Sequence, residues 1–123
     1  GTLYYASKEH PNWQIHPVLK VKMASGPAAP GEPGSYGHQP YNGYHQINAN
    51  IEAEDYDTGG QGVAYSDNSL GNFGGQYRSE DVDVRSCEEG GNQVGWVAGG
   101  EWMYYSVDVA EAGTYRMVAR YAH

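Results

Sequence analysis

Cysteine is nearly missing from this chain: Cys87 stands alone among 123 residues. No internal disulfide framework is available. The lone thiol leaves the compartment open, since it suits a reducing cytosol and equally a bacterial secreted protein that never relied on disulfides. Phenylalanine is as rare, one against twelve Tyr, so much of the apolar surface comes from rings with a polar tip. Such rings suit a thin sheet core and wet binding faces, and they count against a helical bundle. Positive charge is also short. Seven Lys and Arg face fifteen Asp and Glu, for a formal charge of -8, which argues against a nucleic-acid partner, because affinity for a phosphate backbone rests largely on Lys and Arg. No apolar run reaches the length of a bilayer span, so no membrane partner is expected. No basic start with an apolar stretch precedes a cleavage site, so the chain is expected to begin mature or as a fragment. What is abundant is glycine: 18 Gly with 6 Pro predict frequent turns within one domain built on a single core.

The charge is unevenly placed. Residues 1–50 carry three Lys against two Glu, whereas residues 51–123 carry four Arg, no Lys and thirteen carboxylates. Residues 1–23 hold two short extended candidates, Thr2 to Ala6 and Val18 to Met23, which read as the tail of a preceding domain or as extra strands. Residues 24–48 follow as a Gly/Pro-rich linker: four Pro and five Gly between Ala24 and Tyr44 disfavour both helix and ladder.

Residues 49–123 are regular. The period-2 rule places Ile51 and Ala53 inward and Glu52 and Glu54 together on the opposite face of a strand over Asn50 to Glu54. Gly59, Gly60 and Gly62 mark a loop, Tyr65 to Gly75 a longer polar loop, and Tyr77 to Arg85 returns to alternation with Val82 and Val84 inward. Gly90 and Gly91 turn the chain. Glu101 to Val109 alternates with Met103, Tyr105, Val107 and Val109 on one face, and Thr114 to Ala122 follows after a hairpin-length link. Nothing repeats at the helical period, so the expected class is all-β, a jelly-roll-like β-sandwich of short antiparallel strands.

Three stretches carry a resemblance: IEAEDYDTGGQGVAYSD, GNFGGQYRSEDVDV and VGWVAGGEWMYYSVDVAEAGTYRMVARYA. In this order they resemble the carbohydrate-binding modules of family 6, secreted β-sandwich domains appended to glycoside hydrolases. The resemblance covers residues 51–122, the N-terminal half of such a module, so the sandwich is expected to be incomplete at its C-terminus.

The resemblance assigns roles. Glu52 and Glu54 match the acids that help bind a structural calcium, with a backbone carbonyl near Arg78 as third contributor; carboxylates and carbonyls are the donors a hard cation takes. The family's C-terminal carboxylate has no counterpart here. Without the resemblance, two solvated glutamates are the commoner meaning of such a pair. Trp96 matches the aromatic that stacks on a sugar ring; its alternative is a core tryptophan, and the neighbouring Gly95, Gly99 and Gly100 favour a loop position. Gln61 matches a loop position that often carries an acid and reaches the same cleft, where an amide bonds hydroxyls as donor and acceptor. Tyr65 and Asp67 lie on the polar loop within reach of a ligand, or in a solvated turn. Glu101 and Trp102 read as braces of a strand end, and Tyr115 and Tyr121 as core. The scattered His residues show no zinc spacing.

The leading expectation is therefore a secreted, non-catalytic module that binds a xylan, β-glucan or agarose-type polysaccharide and raises the local concentration of an attached glycoside hydrolase. A second is an extracellular structural subunit whose missing strands come from a partner chain. A third is a fragment of a glycoside hydrolase with its activity elsewhere; Glu52 and Glu54, on one strand face, cannot flank a glycosidic bond from opposite sides.

Overall fold

The computed structural model describes residues 37–120 together with Thr2 and Leu3. The expectations for Val18 to Met23 and the first part of the linker lie outside the described residues. Seven short strands and one 3-10 turn follow in order: β1 (Thr2–Leu3), β2 (His45–Gln46), the turn η1 (Ala53–Asp55), β3 (Tyr65–Ser66), β4 (Val84–Ser86), β5 (Asn92–Val94), β6 (Trp102–Tyr104) and β7 (Val107–Asp108). No α-helix occurs among the described residues, and none of their helices is long and apolar enough to cross a membrane.

The strands form three small sheets. β6 is flanked by β1 and β3, both antiparallel, with Tyr65 opposite Met103 and Ser66 opposite Trp102. β4 and β5 make an antiparallel hairpin with Val84 opposite Val94. Its turn closes where glycine was expected to turn the chain. Gly90 and Gly91 take φ of 98° and 73°, which L side chains rarely adopt, and Cys87 N–H reaches Gly91 O at 3.0 Å. β2 and β7 pair in parallel.

The core is Tyr56, Ala64, Tyr65, Val82, Val84, Met103 and Tyr105. Three of these are Tyr, and each keeps its hydroxyl satisfied at the margin: Tyr56 on Glu80, Tyr65 on Asp81, Tyr105 on the Ala53 carbonyl. Val82, Val84, Met103 and Tyr105 face inward as alternation predicted.

Three expectations are corrected. Residues 50–54 are not a strand. The carbonyls of Ala53, Glu54 and Asp55 accept from Tyr105 Oη (2.7 Å), Arg78 Nη1 (3.0 Å) and His45 Nε2 (3.1 Å). These side chains supply the partners that a ladder would have given, and the segment curls into η1. Second, residues 114–120 form no strand: the segment is exposed, no described residue pairs with its backbone in a ladder, and Tyr115, expected in the core, is 43% exposed with its hydroxyl on Glu111 O. Arg120 forms an ion pair with Glu89. Third, the linker ends earlier than expected, because residues 37–48 dock on the domain. Gln39 and Thr58 exchange backbone hydrogen bonds at 2.8 and 2.7 Å, and β2 adds to β7. His38 Nδ1 meets Asp57 Oδ2 at 2.6 Å, in contact with a fully buried carboxylate that also accepts from Ser106 N and Oγ.

Candidate functional site

Trp96 lies in the loop between β5 and β6, fastened at both ends. Gly95 N–H donates to Asp83 O at 2.9 Å, and Glu101 closes the far end by accepting from Ala98 N–H at 2.7 Å. Asn68, from the loop after β3, ties across by donating to Gly99 O and to Glu101 Oε1. Within this frame Trp96 adopts φ of 48° and remains 57% exposed. A left-handed conformation costs a non-glycine residue roughly 1–2 kcal/mol. The loop bonds sustain that cost, and the outcome is an indole held outward. Arg85 sets its guanidinium over the ring, 5.5 Å from the centroid. With its amide oxygen turned to Arg85, Gln93 accepts from Nε at 2.5 Å and Nη2 at 2.8 Å, which fixes the cation in place.

Gln61 is exposed, and its amide clamps Asp67: Nε2 donates to Asp67 O and Oε1 accepts from Asp67 N–H, both at 2.9 Å. It shapes the loop that carries Asn68, and thereby the frame around Trp96. Tyr65 lies inside the core, 3% exposed, its hydroxyl donating to Asp81 and its ionisation pushed up chiefly by burial. It is not on a ligand-facing surface. The polar loop is instead pinned by Asp67, Asp83 and Asn72, which accept from the backbone N–H of Ser69, Phe73 and Val84.

Beneath the Trp96 loop, Asp67, Glu101, Ser66 and Trp102 line a recess of about 10 Å³. That is space for one water and no more. Burial raises the carboxyls of Asp83 and Glu101, each helped by the charge of Asp67. A saccharide therefore has no cavity to enter here, and contact with one must be made on exposed rings.

Glu52 and Glu54 do not share a face. Glu52 is exposed and Glu54 buried, with the Glu54 carboxyl raised first by desolvation and then by the charges of Glu52 and Asp55. That repulsion is the donor chemistry a hard cation relieves. The Arg78 carbonyl accepts from Asn72 Nδ2 at 2.9 Å, and among the described residues no three His, Cys, Asp or Glu side chains converge as a metal-holding group. The Arg78 side chain, rather than its carbonyl, dominates the region. Its guanidinium lies between the Tyr41 and Tyr56 rings, 3.7 and 3.8 Å from their centroids, and bonds Glu80 and the carbonyls of Glu54 and Tyr56. Alternation could not show this, because Tyr41 and Tyr56 lie 37 and 22 positions away in sequence.

No family model matches the chain, and no curated protein matches it.

Proposed function

We propose that this chain is a secreted, non-catalytic polysaccharide-binding module of the family 6 type, its small sheets being parts of a jelly-roll-like β-sandwich. The observation that carries the proposal is Trp96: a large ring, more than half exposed, kept outward against its backbone preference by a loop bonded at both ends. Axial C–H groups of a pyranose present an apolar patch that a flat indole covers, while neighbouring amides bond the hydroxyls. The recess beneath the Trp96 loop, too small for a sugar, agrees with a polymer laid across the surface there. Titrating xylan, β-glucan and agarose oligosaccharides against indole fluorescence tests it. A saturable blue shift with one of them is expected, and an unchanged spectrum with all three contradicts it.

Calcium belongs to the same proposal. Glu54 would be its carboxylate ligand, and the ion would neutralise the repulsion that Glu52 and Asp55 exert there. Millimolar calcium should raise the melting temperature, and Glu54→Gln should abolish the rise. An equal shift with magnesium would point to ionic strength instead.

One observation favours a second reading, a structural subunit completed by a partner chain. Residues 114–120 alternate like a strand yet lie exposed, with no ladder to any described residue. An edge of this kind invites pairing between chains. Mass that rises with concentration would support it.

A further inference from the structure

Among the described residues, Tyr77 and Trp96 are the two non-glycine positions with positive φ, 62° and 48°. Both present exposed aromatic rings, 46% and 57%. Strained backbone tends to persist where surrounding structure over-determines it, and such positions cluster at functional sites. Trp96 carries the proposed function, and Tyr77 has no part in it.

The Tyr77 ring is held rigidly. Its hydroxyl donates to Asp55 Oδ1 at 2.6 Å, and Asn42 Nδ2 donates at 2.8 Å both to that oxygen and to Tyr77 Oη. Tyr41 packs edge-on against the ring, centroids 5.6 Å apart at 76°. Tyr41 in turn rests on the Arg78 guanidinium, which is anchored to buried carbonyls. An exposed ring is thus braced from the core outward, so a ligand that stacks on it need not pay to order it.

The rim of the ring has a defined polarity. Asn42 Oδ1 and Asp55 Oδ2 are engaged by no described residue, since every bond of the triad runs through Asn42 Nδ2, Asp55 Oδ1 and Tyr77 Oη. Both free atoms are acceptors. Beside an aromatic face they call for a ligand with an apolar patch and several O–H donors, and they repel sulfated or carboxylated units.

We propose that Tyr77, Asn42 and Asp55 form a second saccharide site, which takes a neutral pyranose unit by stacking on Tyr77 and hydrogen bonding to Asn42 Oδ1 and Asp55 Oδ2. The inference rests on the polysaccharide-binding reading and extends it. Two weak sites on one domain hold a polymer more tightly than either alone, because the second contact is intramolecular.

The test follows two NMR signals, the Trp96 indole N–H and the Asn42 side-chain amide, during titration with neutral xylan and β-glucan oligosaccharides. Both signals are expected to move. Tyr77→Gly, which suits the positive φ and should fold, is expected to silence the Asn42 shift and spare the indole. Tyr77→Phe, which keeps the ring, should retain the Asn42 shift. Raising salt should leave the shift in place. An Asn42 amide that stays still while the indole saturates overturns the second site alone. A moving Asn42 amide with a still indole supports this site and overturns the role of Trp96. Stillness of both overturns both, and loss of the Asn42 shift in salt would overturn recognition of a neutral unit at this site.

Discussion

A buried carboxylate with several donors is costly to change. Asp57 has no exposed surface, and it accepts from His38 Nδ1, Ser106 N and Ser106 Oγ. Asp57→Ala removes the acceptor of the Ser106 N–H and one tie on residues 37–40. Leaving a buried donor unpaired costs about 1–3 kcal/mol. Urea unfolding should show a midpoint lowered by about that free energy at an unchanged slope. Composition conceals the burial of Tyr65, which is 3% exposed. The polar loop around it is written in Asp, Asn, Ser and Gly, but its first ring turns inward to meet Tyr56 edge-on at 5.6 Å.

At the scale of elements, alternation identified the inward residues and overestimated the length of each strand. Val82, Val84, Met103 and Tyr105 were legible because burial on one face follows directly from the period of two. The 50–54 segment was not, because what curls it into η1 comes from His45, Arg78 and Tyr105, residues distant in sequence. The loop position of Trp96 was legible from its glycine neighbours. Its left-handed backbone and that of Tyr77 were not, because φ above zero has a sequence signature for glycine or asparagine and none for aromatics. The polar loop offers a sharp test at Gly74. A Cβ there would meet Val84 O at 2.1 Å and Val84 C at 2.5 Å, both backbone atoms of β4. Gly74→Ala should therefore push the 71–76 loop off the hairpin and cost about 1–3 kcal/mol. Thermal melting and loss of amide protection at Gln76, which donates to Val84 O, would show it.

For the whole molecule the acidic excess sets how stability depends on pH. Glu54, Asp83 and Glu101 titrate above their ordinary values, chiefly through burial. The folded state therefore holds their protons more tightly than the unfolded chain, and stability rises as pH falls toward their folded values. Glu80 runs the other way. Its hydrogen bonds to Arg78 hold it below the usual range, so its contribution is present above the ordinary carboxylate pKa and is lost as acid protonates it. The melting temperature should accordingly climb as pH falls from neutral toward the ordinary carboxylate range, and drop again once acid protonates Glu80. Glu80→Gln should weaken the acid-side fall, and a curve flat across the range would contradict the assignment.

The proposed polysaccharide binding rests first on Trp96 as the stacking ring. Affinity electrophoresis of the full chain and of Trp96→Ala through gels containing xylan, β-glucan or agarose tests it most directly, with circular dichroism confirming that the variant is folded. Retardation of the full chain by one polymer, weakened about tenfold or more in Trp96→Ala, about 1.4 kcal/mol, is predicted. Equal retardation of both proteins, or none by any polymer, would contradict it.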